Sequence, residues 1–158
     1  MRRDFHPILL SHMREDPRIV VLVGDLGYKM FDSIAAEFPS RFWNVGAAEQ
    51  LLLAAGIGLA EEGKIPVLYS ITPFLLKRPF ELIDLYVNHE SVPVKLLGGG
   101  RGKDYHEDGP SHDATGDDTL LNLWPNIHGY WPTTVAELPD VVDTWLNDPA
   151  PAYLNLKR

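Results

Sequence analysis

Ile19–Val23 is an unbroken β-branched and aliphatic run that stops at Gly24. With no polar residue alternating through it, the run fits a strand buried on both faces of a parallel sheet. Shorter relatives of it recur at 67–70, 94–97, 127–130 and Ala152–Leu156, separated by helical patterns such as 74–88 and 135–147. Alternation of this kind predicts an α/β fold, an open and mostly parallel sheet with helices on both faces. At 158 residues, 45% hydrophobic and 23% charged, the chain is expected to form one domain over 1–158.

A second feature asks for a chemical explanation. The run Phe42-Trp43-Asn44-Val45-Gly46-Ala47-Ala48-Glu49-Gln50 places a carboxylate in the first turn of a helix that is otherwise apolar from Leu51 to Ala60. Leu, Ala, Ile and Gly on every face predict a helix buried all round, with Gly56 and Gly58 allowing a neighbour to approach closely. Glu49 therefore enters a dry space. It either offsets the positive end of the helix dipole or performs proton chemistry there, and position alone leaves both open.

Composition removes several classes of function. A formal net charge of −8 makes a nucleic-acid backbone or an anionic membrane an unfavourable partner. The absence of cysteine excludes disulfides and thiolate chemistry. The amino-terminal Met1-Arg2-Arg3-Asp4-Phe5-His6-Pro7 has no apolar run of signal-sequence length, so a cytoplasmic location is expected.

Other segments carry structural readings. Thr134-Val135-Ala136-Glu137 has the capping-box pattern, although Pro139 argues that the regular helix starts only near Leu138. Leu138 and Trp145 read as core anchors of that helix. Residues 98–110, rich in glycine, form the longest irregular stretch. Gly24-Asp25-Leu26-Gly27 lacks the third glycine and the downstream acid of a dinucleotide-binding turn. His106, Asp108, His112 and Asp113 match no standard metal-ligand spacing, so no metal site is assigned.

Taken in order, "GDLG", "NVGAAEQ", "GKIPVLYSITPFL", "RPFELI" and "DGPSH" resemble the pyrimidine-binding domain of the transketolase family of thiamine diphosphate enzymes, over nearly the whole chain. The resemblance implies that Glu49 hydrogen-bonds a ring nitrogen of the cofactor's aminopyrimidine, and that Phe74 stacks on that ring with Phe80 near it. It implies further that His112 contacts the donor's oxygens, that Asp108 contacts a sugar hydroxyl, and that Asp25 lies near the cofactor at a subunit interface. Many relatives carry a second histidine where this chain has Asp113. A carboxylate there is expected to repel a phosphorylated or otherwise anionic substrate.

The resemblance also marks what is not here. The Gly-Asp-Gly and asparagine anchor that holds the diphosphate through a divalent metal, Mg or Ca, does not occur in these residues. A separate pyrophosphate-domain subunit is expected to supply it, in a heterotetramer that transfers a two-carbon ketol unit between sugars or sugar phosphates. A two-subunit 2-oxo acid decarboxylase or a pyruvate/aldehyde synthase is the alternative within the same chemistry. A non-catalytic regulatory module, or a piece of a longer enzyme, is the alternative outside it.

Overall fold

The computed structural model describes residues 1–158. Six strands, β1 (Ile19–Val23), β2 (Phe42–Asn44), β3 (Ile65–Ile71), β4 (Lys95–Gly99), β5 (His128–Tyr130) and β6 (Ala152–Leu156), form one sheet in the order β2-β1-β3-β4-β6-β5. Every pairing is parallel, in keeping with the apolar runs of the four inner strands. Alternate residues feed two cores. Val21, Val23, Val67, Tyr69, Leu97 and Leu154 face α1 (Arg2–Glu15), α2 (Asp32–Glu37) and α7 (Leu138–Asn147). Val20, Leu22, Leu68, Leu96 and Tyr153 face the opposite layer, built from α3 (Glu49–Glu61), α4 (Thr72–Lys77), the helical turns that follow it and α6 (Asp117–Leu121).

Several local expectations change. The helix expected over 74–88 is divided into α4, a short α5 (Phe80–Leu82) and a π-helical turn at Ile83–His89, whose widening shows in the Glu90 N–H donating to the Leu85 carbonyl. Pro79 stands at the N-cap of α5. Gly98 and Gly99 belong to β4, so the irregular stretch begins at Gly100. Strand β2 and helix α1 were not foreseen. The first is only three residues long, and the second runs through Pro7, which reads as a helix breaker.

The helix α3 is not buried all round within this chain. Gly56 meets Leu68 of β3, where a Cβ would come within 2.5 Å of Leu68 Cδ1, but Leu51 is 55% exposed and Gly58 has open space beside it. One apolar stripe faces β3 and another is left uncovered. At α7 the helix does start at Leu138, and both Leu138 and Trp145 are fully buried. The capping box does not form there. Glu137 instead accepts from the Thr133 backbone N–H and from both the Thr133 and Thr134 hydroxyls. No helix is long and apolar enough to cross a membrane.

At the amino-terminal end of the sheet Lys95 is buried, its Nζ donating to the carbonyls of Asp148 (2.5 Å) and Ala150 (2.9 Å). Burial pushes its pKa from the ordinary 10.5 down to about 8, against the opposing pull of the Asp148 carboxylate. Between those values the unfolded chain binds more protons than the folded one, so stability rises with pH. Urea midpoints between pH 8 and 10 should report a rise on the order of 1 kcal/mol per pH unit, and Lys95→Met should flatten it.

Candidate active site

Four chain segments converge at the carboxyl ends of the central strands, where open parallel sheets place their ligand sites. Strand β1 ends at Val23, just before Gly24, β3 ends at Ile71, and β4 runs out into Gly100, while α3 starts with Glu49 against the first two. Gly24 lies against this site, where a Cβ would be in ordinary contact, 3.5 Å from both Glu49 Oε1 and Ser70 Oγ.

Glu49 is 3% exposed. Its side chain does not cap α3, whose N-cap residue is Ala48. Instead Oε1 accepts from the Ser70 hydroxyl at 3.0 Å, and Oε2 accepts from Arg78 Nη1 at 2.7 Å. Both oxygens are therefore engaged in a largely dry setting, where charge-assisted bonds are strong. Arg78 was not among the residues singled out in the sequence. It stands at the C-cap of α4, four positions after Phe74, a spacing that puts the two side chains on one face.

Arg78 also lies over the Phe74 ring, with Cζ 3.8 Å from the ring centroid. His112 approaches the same ring edge-on, with centroids 4.8 Å apart and planes at 68°. Glu49, Arg78, Phe74 and His112 thus form one continuous chain of contacts across α3, α4 and the turn Pro110–His112. Three of the four were expected together from the sequence, and the fold joins them through the fourth.

The remaining candidates sit outside this run. Phe80 is 40% exposed and packs on the buried Trp124, centroids 5.1 Å apart. Asp108 is exposed, in the preceding turn His106–Asp108. Asp25, at φ +57°, exchanges hydrogen bonds with Asn44: its N–H donates to Asn44 Oδ1, and Asn44 Nδ2 donates to its carboxylate. Asn44 Oδ1 also accepts from the Gly46 N–H, which ties the end of β1 to the start of the "NVGAAEQ" segment.

Asp113 accepts from the Thr115 N–H at 2.8 Å, and hydrogen bonding to Thr115 holds its carboxyl below the ordinary range. Lys103 and Lys77 act on it in the same direction.

Behind the site lies a buried polar network that the sequence does not announce. Asp117 Oδ2 accepts from Trp131 Nε1 (3.1 Å), Tyr153 OH (2.9 Å) and Asn155 Nδ2 (3.0 Å). Asn155 Nδ2 also reaches Thr72 Oγ1 and the Gly100 carbonyl, and Thr72 donates to that carbonyl at 2.7 Å. Arg101 closes the group by donating to the Asn155 side chain and backbone. Burial pushes the Arg101 pKa down and the Tyr153 pKa well up, with the Asp117 charge favouring the protonated form of each. Thr72 opens α4 and Gly100 opens the loop toward His112, so the network sets where Phe74 and His112 meet.

Comparison with known proteins identifies the family. The model of "Transketolase, pyrimidine binding domain" matches residues 1–158. The chain belongs to this family. An uncharacterized 33.6 kDa protein of the fasciation locus of Rhodococcoides fascians is 34% identical over 96% of this chain and 49% of its own length. A putative transketolase C-terminal section from Methanocaldococcus jannaschii is 31% identical over 100% and 50%. A 6-deoxy-6-sulfo-D-fructose transketolase subunit from a Clostridium species is 29% identical over 100% and 49%. Among solved structures, a split-gene transketolase described as an inactive β4 tetramer superposes with TM-score 0.86 at 32% identity, over 99% of this chain and 50% of that one. This pyrimidine-domain chain spans about half the length of those relatives.

Replacing Asp117 by alanine removes the acceptor shared by Trp131 Nε1, Tyr153 OH and Asn155 Nδ2, of which only Trp131 has no second partner among the network's bonds, a loss of about 1–3 kcal/mol. A fall of that size in the denaturant-derived unfolding free energy should accompany Asp117→Ala, whereas Asp108→Ala, at an exposed turn, should leave it unchanged.

Proposed function

We propose that this chain supplies the pyrimidine half of a thiamine diphosphate site in a two-part transketolase-like enzyme. The observation that carries the reading is Glu49: a carboxylate 3% exposed at the strand ends, reached by a single cation from the face of Phe74. An acceptor in a dry recess beside an aromatic plane fits an aminopyrimidine, which needs an edge-on hydrogen-bond partner and a stacking face. When bound, thiamine diphosphate supplies a thiazolium carbon able to attack a ketose carbonyl.

The chain's own residues then have defined tasks. Glu49 holds a proton position at a ring nitrogen, and Ser70 fixes the orientation of its carboxylate. Phe74 supports the ring's plane. His112, half-buried against Phe74, faces the donor's oxygens and exchanges hydrogen bonds with them through its ring nitrogens. Asp108 binds a sugar hydroxyl from the exposed turn, Phe80 flanks the ring, and Asp25 meets the neighbouring subunit.

The diphosphate and its divalent metal, Mg or Ca, are assigned to a separate pyrophosphate-domain subunit. No three His, Asp or Glu side chains of this chain are grouped to hold a metal ion. The recess lined by Ala47, Ala48, Glu49, Gln50, Leu51 and Arg78 is open to one side, with Leu51 uncovered beside it, which favours a partner that closes the site. The names of the split-gene and sulfofructose relatives support a two-part transketolase. The form proposed for this chain is a heterotetramer that passes a two-carbon ketol unit from a ketose to an aldose.

Native mass spectrometry of the gently purified complex should find this chain with a second subunit and thiamine diphosphate. A cofactor-free homo-oligomer would favour a regulatory module instead. In the active complex Glu49→Gln should melt as the wild type does and lose at least about a hundredfold in turnover. Release of carbon dioxide in place of ketol exchange would assign the enzyme to 2-oxo acid decarboxylation or pyruvate/aldehyde synthesis.

A further inference from the structure

Arg78 occupies both partners that the proposed cofactor ring needs. Its guanidinium donates to Glu49 Oε2 at 2.7 Å and lies 3.8 Å above the Phe74 ring, a van der Waals stacking separation. Guanidinium is planar, donates N–H groups from its edge and stacks through its face. An aminopyrimidine offers the same combination, so one carboxylate oxygen and one face of Phe74 do not serve both groups at once.

We propose that Arg78 is a placeholder for the aminopyrimidine, holding Glu49 and Phe74 in register while the ring is absent and leaving when it binds. This rests on the functional reading above. The need for a placeholder is electrostatic. Without Arg78 the Glu49 carboxylate would keep only the Ser70 hydroxyl, and a buried carboxylate with one neutral partner is costly. Departure is easy by comparison. The Arg78 side chain is 45% exposed, against 2% for Glu49, and it stands at the rim of the open recess at the end of a six-residue helix. A rotation about its own torsions carries the cation into solvent and leaves α3 and the sheet in place.

A self-occupied site binds its ligand more weakly than an empty one, by the fraction of molecules in which the occupant has already left. The test is calorimetric titration of thiamine diphosphate, at fixed metal, into the complex of this chain with its pyrophosphate-domain subunit. Arg78→Ala should lower the Kd at least threefold, and Arg78→Lys, which keeps the charge but has no plane to stack, should lower it less. An unchanged or raised Kd in Arg78→Ala overturns the placeholder. Should the alanine variant fail to fold, the lysine variant decides in the same way. Wild-type complex that takes up no thiamine diphosphate sinks the functional reading and the placeholder together. Normal wild-type uptake, weakened by Glu49→Gln but not tightened at Arg78, sinks the placeholder alone.

Discussion

A carboxylate buried at the start of α3 has to be satisfied, and the arrangement of the strand ends follows from how that is done. Glu49 draws Ser70 from the end of β3 and Arg78 from the end of α4. Replacing this carboxylate by an apolar side chain would serve packing better, since buried charges are expensive to desolvate. Its presence therefore points to chemistry, and the aromatic plane of Phe74 beside it indicates the shape of the ligand.

The second constraint is the polar network beneath α4 and the His112 loop. Its members come from distant segments: Thr72, Gly100–Arg101, Asp117, Trp131 and the β6 residues Tyr153 and Asn155. Low local polarity strengthens these bonds and makes any unpaired member costly. The consequence is positional. Once Thr72 and the Gly100 carbonyl are joined, the edge-on contact between Phe74 and His112 has little freedom, and the catalytic candidates are held by a rigid base.

The two ends of the sheet are organised differently. At the amino-terminal end Lys95 is enclosed by backbone carbonyls, and Asp148 takes hydrogen bonds from His128 and Tyr130. At the carboxyl-terminal end the polar groups are equally buried but border an open recess and the uncovered stripe of α3. That stripe explains why Leu51 to Ala60 reads as a helix buried on every face although this chain covers only part of it. The sequence pattern carries information about a surface that another chain is proposed to complete.

Much of the fold was legible because strands buried on both faces need continuous apolar runs, and β1, β3, β4 and β6 carry them, whereas β5, partly exposed at the sheet's other edge, shows only in the short run 127–130 that contains it. Strand β2 was not legible, since its three residues, Phe42–Asn44, are partly exposed at a sheet edge. Glu49, Phe74 and His112 were legible as candidates through the order of their motifs. Phe80 is legible in the same way, and the fold seats its half-exposed ring on Trp124. Arg78 and Asp117 are not legible as buried groups, because a single arginine after a helix or an aspartate in an acidic run looks like solvated surface. Residue order by itself determined the parallel sheet and the family of the chain, because burial on both faces and a set of ordered motifs are local properties. Only the tertiary structure decided that Arg78 bridges Glu49 and Phe74, because those contacts depend on where the ends of separate strands and helices meet in space.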